Sequence, residues 1–310
     1  MLRYKIIVNP IAGRGAGLLA IPIIGRALKD HGLDHDIVRT ERPWHGVELA
    51  RNAVEDGYDV VVAVGGDGTC NEVLNGLMLA QGVGLGRACM GVLPVGRGND
   101  FAYGMGVPAD LPAACQALAC NARRLIDVGR VVGGLYPQGR YFGNGVGIGF
   151  DAVVGFEAAK MKHLHGFANY VVAALKTMCL YFRAPLLQIT YGGQTITQNS
   201  LMVSVMNGRR MGGGFMMAPD SISDDGLLDL CIARQVSRAG ILALIPRFMQ
   251  GTQASHAAIR TGRAPKVVVR ALEGVLPAHA DGETLCTEGQ QLEIEVLSRQ
   301  IELVCQPAGS

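Results

Sequence analysis

The pentapeptide Gly65-Gly66-Asp67-Gly68-Thr69 has the residue types of a phosphate-binding loop. It follows Val60–Val64, an unbroken Val/Ala run typical of a parallel strand covered on both faces, and precedes a predicted helix over Asn71–Gln81. Glycines let backbone N–H groups turn toward an anion, and a helix start adds more N–H groups and a positive dipole end. Asp67 repels a phosphate, so it is suited to holding Mg²⁺ or moving a proton. The alternative is a tight turn capped by Asp67, which the full pentapeptide does not favour.

Two further glycine-bearing loops follow predicted strands. Asn9–Gly15 comes after the strand Tyr4–Asn9, and Pro94–Phe101 comes after the strand Gly91–Val95. Ligands of an open α/β sheet bind outside the carboxyl ends of its strands. We therefore expect the three loops to converge on one crevice.

The elements that carry these loops alternate between strand and helix over residues 1–127. This order predicts a doubly wound nucleotide-binding α/β domain with right-handed crossovers. The other elements predicted there are Gly17–Asp30, His45–Glu55 and Leu111–Asn121 as helices and Ile37–Thr40 as a strand.

Strand signals dominate from residue 128, and turn signals such as Gly192-Gly193 separate them. They predict an antiparallel β-sandwich or barrel domain over 128–298, and the last strand, within 299–310, is compatible with either domain. Helical patterns interrupt this region at Phe156–Tyr181 and Ser237–Gln250. The predicted strands are Arg130–Val132, Tyr141–Ile148, Leu186–Tyr191, Ser200–Asn207, Leu227–Ala233, Lys266–Ala271, Leu292–Leu297 and Gln300–Cys305.

Composition excludes several classes of protein. The 310 residues are 49% hydrophobic, which supports a sizeable core, and the net charge of +2 gives no basic excess for nucleic-acid binding. Eight cysteines without a CxxC pair indicate small buried side chains in a reducing compartment. The longest apolar stretch, Phe167–Phe182, is shorter than the ~20 residues of a membrane span. We therefore expect a cytoplasmic protein, and the mean hydropathy of +0.25 leaves peripheral contact with the inner membrane face open.

Two further motifs, Asn99-Asp100-Phe101 and the late Asp281-Gly282-Glu283, accompany these loops. Together they resemble the diacylglycerol kinase catalytic-domain superfamily, and specifically the bacterial soluble lipid kinases, with sphingosine and ceramide kinases as more distant members. Gly-Gly-Asp-Gly-Thr alone also occurs in NAD kinases, but the combination with Asn99-Asp100-Phe101 and Asp281-Gly282-Glu283 is more specific. The resemblance implies an α/β domain followed by a β-sandwich domain. It also implies ATP- and Mg²⁺-dependent phosphorylation of a lipid hydroxyl, most simply that of diacylglycerol. The matching segments are Asn9-Pro10 with Gly13, Gly65–Glu72, Leu93–Ala102, Asp127, Gly143–Asp151, Asp225–Asp229 and Asp281–Glu283.

The resemblance also assigns roles to residues. It makes Glu283 the general base for the attacking hydroxyl, and Asp67 and Asp100 the residues that organise a catalytic Mg²⁺. A base is needed because an alcohol is a poor nucleophile until its proton has an acceptor. The alternative for Asp281-Gly282-Glu283 is an exposed hairpin turn. The implied nucleotide-binding residues are Asn9, Pro10, Gly13, Arg14, Thr40, Gly65, Gly66, Asp67, Gly68, Thr69, Asn71, Glu72 and Arg97.

A second, structural Mg²⁺ is implied at the loop Ser221–Leu227. Asp225 would supply a carboxylate, and Ile222 and Leu227 would supply backbone carbonyls, all hard oxygen ligands that suit Mg²⁺. The alternative is a plain Asp-Gly turn.

Two positions depart from the family pattern. Arg97 stands where a Thr or Ser hydroxyl usually meets the nucleotide, and Tyr103 stands where bacterial relatives commonly carry Arg. One hypothesis is that the guanidinium has relocated and Arg97 now neutralises phosphate. The alternative is that Arg97 points to solvent.

Three segments bear on lipid contact. Phe156–Tyr181 places Lys160 and Lys162 beside apolar residues, which suits either an interfacial helix or a helix packed on the sandwich. Met211–Met217 is compatible with an acyl pocket or with an ordinary core loop. His163-x-His165 is a weak metal signal.

Three functions therefore remain in competition. They are a soluble lipid kinase, an NAD kinase, and a non-catalytic lipid- or nucleotide-binding member of the family. Asn99-Asp100-Phe101 with Asp281-Gly282-Glu283 argues against NAD kinase, and retention of Asp67, Asp100 and Glu283 argues against loss of catalysis. A homodimer is compatible with the sequence, but no residue demands it.

Overall fold

The computed structural model describes residues 2–161, 166–180 and 184–306. The chain divides into two compact units. The first comprises Met1–Val128 and Ser298–Ser310, and the second comprises Gly129–Leu297. The C-terminal strand segment therefore belongs to the same unit as the N-terminal α/β elements.

The first unit is a parallel sheet with helices between its strands. The spatial order is β2 (Asp34–Arg39), β1 (Arg3–Val8), β3 (Val60–Gly65) and β4 (Cys89–Pro94), followed by the end of β15 (Gln291–Cys305). Residues of β3 and β4 are buried throughout, because helices cover both faces of the sheet. The elements are β1 (Arg3–Val8), α1 (Ala16–Asp30), β2 (Asp34–Arg39), α2 (His45–Glu55), β3 (Val60–Gly65), α3 (Asp67–Gly82), β4 (Cys89–Pro94), α4 (Asp100–Gly104), α5 (Leu111–Cys120) and β5 (Ala122–Gly133), whose last residues enter the second unit.

Helix α1 is amphipathic and turns its apolar side to the sheet. Ala20, Ile24 and Leu28 recur every four residues along α1 and are buried against β1 and β3. Asp110 caps α5 by accepting the Ala113 N–H at 3.0 Å, and Asn121 ends that helix in the left-handed conformation.

Among its described residues, the second unit is an antiparallel β-sandwich with three α-helices. Its two layers share β9, whose first half pairs with β8 and whose second half pairs with β7 and β10. Further pairs are β10 with β11, β13 with β7 and β14, β12 with β8 and β15, and the end of β5 with β6. The elements are β6 (Tyr136–Phe142), β7 (Gly145–Gly149), α6 (Phe150–Lys160), α7 (Gly166–Leu180), β8 (Leu186–Tyr191), β9 (Gln194–Met206), β10 (Leu228–Arg234), α8 (Arg238–Gln250), β11 (Ile259–Ala264), β12 (Lys266–Glu273), β13 (Leu276–Ala280), β14 (Glu283–Gly289) and β15 (Gln291–Cys305).

Two apolar clusters stabilise this unit. One fills the space between the layers and includes Phe142, Val205 and Leu292, each fully buried. The other packs α6, α7 and α8 on the outer side of β9 and β10, through residues such as Phe150 and Ile241. The predicted fold class, an α/β domain followed by a β-sandwich, is confirmed.

Several predicted boundaries were wrong for physical reasons. Tyr141–Ile148 is two strands, because Gly143 and Asn144 leave the ladder to donate their N–H groups to Asp281. In the described part of Phe156–Tyr181, α6 ends at Lys160 because Met161 has an extended backbone, and α7 spans Gly166–Leu180. The predicted strands Leu292–Leu297 and Gln300–Cys305 are one strand, β15. The short elements α4, β11, β13 and β14 were missed.

Within residues 2–161, 166–180 and 184–306, no helix has the length and apolar character that crossing a membrane requires.

Candidate active site

Three loops meet at the carboxyl ends of β1, β3 and β4, as the sequence predicted. A Cβ on Gly13 would lie 2.2 Å from the Val95 carbonyl oxygen, and a Cβ on Gly96 would lie 2.3 Å from Gly66 Cα. These approaches are closer than any side chain permits, so glycine is required at both positions. Gly13 also has φ +56°, in the region that favours glycine.

Asn9 connects the loop Asn9–Gly15 to the loop Gly65–Thr69. Its Nδ2 donates to Thr69 Oγ1 at 3.2 Å, and its Oδ1 accepts the Ile11 N–H at 3.2 Å. The Asn9 N–H itself donates to the Val64 carbonyl at 3.0 Å. Pro10, which follows, accepts the Leu18 N–H at 3.3 Å through its carbonyl. Asn9 and Pro10 therefore shape the loop and the start of α1.

The pentapeptide differs from the predicted loop in one respect. Gly65 ends β3, Gly66 is the N-cap residue of α3, and Asp67, Gly68 and Thr69 already form its first turn. The helix starts four residues before the predicted Asn71. The N–H groups of the first helical turn lack intrahelical acceptors, and they point out of the helix start with the dipole.

The two acidic residues of this region are held close together through the backbone. Asp67 Oδ1 accepts the Phe101 N–H at 2.9 Å, and Asp100, the neighbour of Phe101, is 5% exposed. Asn99 has φ +52° and donates from Nδ2 to the Gly96 carbonyl at 3.1 Å, while its Oδ1 is buried and accepts no hydrogen bond from the described residues. Hard oxygen donors of this kind fit Mg²⁺, which is usually held by one or two carboxylates together with substrate phosphates.

Three predicted nucleotide-binding residues make contacts within the fold. Glu72 accepts the Trp44 and Gly46 N–H groups at 3.1 and 2.8 Å, and so fixes the start of α2. The buried Asn71 accepts from Asn75 Nδ2 through its carbonyl and its Oδ1. The Thr40 N–H donates to the Val8 carbonyl at 2.9 Å. These contacts give each of the three residues a role in stabilising the fold. Their roles in nucleotide binding stay predictions.

The basic residues of these loops face outward. Arg97 is exposed and makes no hydrogen bond or ion pair with the part of the chain that the structure describes. Arg14 is also exposed and has φ +64°. Tyr103, at the other departure from the family pattern, is 46% exposed. An outward guanidinium at Arg97 is compatible with both hypotheses about its role.

In the second unit, Asp281 organises the turn between β13 and β14. Its Oδ2 accepts the Gly143 N–H at 2.8 Å, and its Oδ1 accepts the Asn144 and Gly145 N–H groups at 3.0 and 2.9 Å. Asp281-Gly282 is a hairpin turn with φ of +49° and +87°, and Glu283 follows it as the exposed first residue of β14. The carboxylate of Asp281 thus anchors the turn, while that of Glu283 faces outward.

A buried guanidinium lies close to this acidic turn. Arg140 of β6 is 3% exposed, donates from Nη1 to the Tyr136 hydroxyl at 2.6 Å, and stacks on the Tyr136 ring. Burial lowers the pKa of Arg140, and the nearby Tyr136, Glu283 and Asp281 oppose that shift. Sequence reasoning missed Arg140, whose only signal was a basic residue inside a strand.

An apolar cavity of about 70 Å³ lies between α6, α8 and the outer face of β9 and β10. That volume is several times the space that one water molecule needs. Phe215 and Met217 line it, so part of the predicted Met211–Met217 segment contributes to a cavity, and Met211 packs in the same cluster. Asp151, at the start of α6, is the one acidic residue among the lining residues that the structure describes.

The segment predicted as an interfacial helix packs inward through α6 and α7. Ala158 and Ala174 are buried in the outer apolar cluster, whereas Leu175 is 41% exposed. Glu157 forms ion pairs at 2.6 Å with both Lys160 and Lys176, and their hydrogen bonds lower its pKa. Lys162, His163 and His165 lie outside the described residues.

At the predicted structural Mg²⁺ site, protein groups already contact both oxygens of the Asp225 carboxylate. Asp225 Oδ1 accepts the Leu227 N–H at 3.0 Å, and Arg263 Nη2 pairs with Asp225 Oδ2. The Ile222 side chain is 47% exposed. Because both Asp225 oxygens are engaged and a guanidinium supplies the positive charge, this donor set does not fit a bound Mg²⁺ as it stands.

Comparison with protein families identifies two segments of the chain. Residues 3–131 match the diacylglycerol kinase catalytic domain, and residues 144–305 match the YegS C-terminal NAD kinase beta sandwich-like domain. The diacylglycerol kinase of Mycobacterium tuberculosis is 30% identical over 281 residues, which cover 90% of this chain and 88% of that protein. The diacylglycerol kinase of Bacillus subtilis is 28% identical over 285 residues, which cover 91% and 90%.

Solved structures share the fold. A crystal structure of a diacylglycerol kinase from Bacillus anthracis superposes with a TM-score of 0.74 at 22% identity, covering 99% of this chain and 98% of that one. An NAD kinase from Archaeoglobus fulgidus in complex with ATP gives a TM-score of 0.50 at 13% identity, covering 98% and 93%. At these identities the likeness is one of fold alone.

Proposed function

We propose that this chain, which belongs to the diacylglycerol kinase family and is a lipid kinase, transfers the γ-phosphoryl group of ATP to the hydroxyl of diacylglycerol and yields phosphatidic acid. The observation that carries the proposal is the close meeting of the three glycine loops at Gly13, Gly66 and Gly96, beside the linked Asp67. Such loops present backbone N–H groups to a polyphosphate without an intervening side chain.

In this proposal the first unit binds ATP. The helix start at Gly66–Thr69 and the loop at Asn9–Gly13 contact the phosphates, and Arg97 and Arg14 add positive charge from the solvent side. Asp67 and Asp100 would hold Mg²⁺, which when bound neutralises charge on the phosphate oxygens. The residues present fit that cation because they offer carboxylate oxygens at the start of two helices.

Glu283 supplies the base. Its carboxylate accepts the proton of the lipid hydroxyl as that oxygen forms its bond to the γ-phosphorus, and the bond from the γ-phosphorus to the bridging oxygen breaks to release ADP. The exposed position of Glu283 leaves the carboxylate accessible to a substrate, and the clamp on Asp281 holds its turn in one conformation.

The acyl part of the lipid is assigned to the cavity lined by Phe150, Leu201, Phe215 and Phe248. Apolar walls favour a hydrocarbon chain by roughly 25 cal/mol for each Å² removed from water. Because the substrate resides in a bilayer, we place the enzyme at the inner face of the membrane as a peripheral protein.

The test is a phosphoryl-transfer assay with Mg²⁺-ATP and mixed micelles, run in parallel with diacylglycerol, monoacylglycerol, sphingosine and NAD. Label in phosphatidic acid supports the proposal, and label in NAD instead would refute it. Glu283→Gln is expected to lose at least 100-fold in kcat while its ATP affinity is retained. Glu288→Gln is the matched control, because Glu288 is also exposed on β14.

The role of Arg97 is tested separately. If Arg97 neutralises ATP phosphate, Arg97→Thr raises the KM for ATP about tenfold, the size of one charge-assisted contact. An unchanged KM and kcat would show that Arg97 points to solvent throughout the reaction.

A further inference from the structure

His279 makes a contact that the roles above do not use. It lies on β13, two residues before Asp281, and is 8% exposed. Its Nδ1 accepts the Gly282 N–H at 3.3 Å. An Nδ1 that accepts a hydrogen bond is unprotonated, so the neutral ring carries its proton on Nε2.

The other side of the ring faces Asp151. His279 Nε2 lies 3.9 Å from Asp151 Oδ1, and Ser204 Oγ donates to Asp151 Oδ2 at 3.3 Å. Gly147 leaves the space for this pair, since a Cβ there would lie 2.5 Å from His279 Nε2 and 2.3 Å from Asp151 Oδ2. His279 therefore stands between the backbone of the turn and the acidic residue of the apolar cavity wall.

We propose that His279 is a positioning residue that couples Asp151, on the wall of the apolar cavity, to the Gly282 backbone and so sets the orientation of Glu283. The inference rests on the proposed function, because Glu283 matters only if it serves the lipid hydroxyl. Through Nδ1 the ring fixes the turn that precedes the base. Its Nε2 faces the Asp151 carboxylate, which adjoins the site assigned to the lipid, across 3.9 Å, so the two groups pack side by side without a direct hydrogen bond.

Two isosteric changes separate the halves of the coupling. Asn at 279 places an amide oxygen near the Nδ1 position, so His279→Asn keeps an acceptor for Gly282 but loses the reach to Asp151. Gln places an amide nitrogen near the Nε2 position, so His279→Gln keeps that reach but leaves the Gly282 N–H unpaired. We expect His279→Gln to lower kcat about tenfold with little change in lipid KM, and His279→Asn to raise lipid KM several-fold with little change in kcat.

His256 provides the matched control. Its Nδ1 accepts the Ala258 N–H at 3.1 Å, the same kind of ring-to-backbone bond elsewhere in the sandwich unit. His256→Gln should lower the midpoint of thermal unfolding, Tm, by as much as His279→Gln does, yet leave both kinetic constants unchanged. The proposal would be overturned if His256→Gln and His279→Gln had equal effects on the kinetic constants. It would also be overturned if kcat and lipid KM worsened together in both His279 variants.

A readout independent of lipid turnover keeps the two proposals distinguishable. Nitrogen-15 chemical shifts of the wild-type rings should show His279 as the Nε2–H tautomer at neutral pH. An Nδ1-protonated ring would overturn the positioning role. A wild type that transfers no phosphate to lipids would refute the proposed function, and the tautomer would still decide how His279 is bonded.

A separate observation concerns Arg263 on β11. It pairs with Asp225 Oδ2 and, from Nε, with Asp229 Oδ1 at 3.2 Å, and it is the cross-strand partner of Asp229. We propose that this guanidinium permanently takes the place of the structural Mg²⁺ that the family resemblance implies. One side chain thereby balances two carboxylates that would otherwise need a cation.

Thermal unfolding without nucleotide tests this second proposal. Millimolar Mg²⁺ should shift the Tm of the wild type by less than about 1 °C, and should raise that of Arg263→Ala by about 5 °C, because the opened carboxylates then bind the cation. Arg263→Gln serves if the alanine variant folds poorly, and Asp225→Asn in the same background should abolish the response. A large Mg²⁺ response in the wild type, or none in either Arg263 variant, would overturn the proposal.

Discussion

Gly96→Ala is expected to damage the nucleotide site without unfolding the chain. The added Cβ would lie 2.3 Å from Gly66 Cα and 2.6 Å from Asn99 Oδ1, whereas ordinary contacts begin near 3.4 Å. The loops at Gly66 and Gly96 must therefore separate by about 1 Å, since a backbone atom cannot rotate away as a flexible side chain can. A misplacement of that size costs about 100-fold in catalysis, or about 2.7 kcal/mol in transition-state binding.

The assay measures kcat and the KM for Mg²⁺-ATP at saturating lipid, with Tm recorded in parallel. We expect kcat/KM for ATP to fall about 100-fold while unfolding remains cooperative. Gly82→Ala is the matched control, because Gly82 lies in α3 and a Cβ there meets open space. Wild-type ATP kinetics in a folded Gly96→Ala protein would refute the inference that close packing of these loops forms the phosphate site.

Three more predictions follow from individual contacts. Tyr58→Phe removes the hydroxyl that donates to Asp36 and so lowers the pKa of that carboxyl. Because Asp36 is exposed and solvent screens it, the loss in urea unfolding at pH 7 should be only about 0.2–0.5 kcal/mol and should vanish well below the ordinary carboxyl pKa; a pH-independent loss would contradict this. Asp281→Asn replaces one of the two acceptor oxygens with an NH₂ group, which then faces backbone N–H groups as a second donor. This should cost about 1–3 kcal/mol of unfolding free energy; unchanged stability would show that the clamp is unimportant. In native-state alkylation mapped by mass spectrometry, the exposed Cys120 should react at least about 100-fold faster than Cys231, whose pKa burial raises to about 12; similar rates would disprove it.

Much of the fold could be predicted because its signals are local. The Val/Ala run of β3 is buried on both faces, and this unbroken apolar run alone indicated a covered parallel strand. The predicted bounds of the helix His45–Glu55 agree with the structure at both ends, because Gly57 ends its apolar pattern. The loops could be predicted to converge because parallel strands share one carboxyl edge.

What the sequence concealed depends on long-range contacts. The break between β6 and β7 is fixed by Asp281, more than a hundred residues later, and the local sequence Gly143-Asn144-Gly145 cannot show that contact. The ion pair of Arg263 with Asp225 depends on strand register, so a cation site inferred from the loop alone could not anticipate it. Arg140 and His279 were overlooked for the same reason, since their surroundings exist only after the sandwich has formed.

The last strand imposes an order on biosynthesis. β15 pairs with β12 near its start, and its Leu303 lies beside Met90 of β4, in the sheet that begins at Arg3. That N-terminal sheet therefore keeps one edge open until the segment around Leu303 has been translated. Unpaired strand edges on a nascent chain attract other strands, so chaperone occupancy on the ribosome should persist until Leu303 has emerged from the exit tunnel.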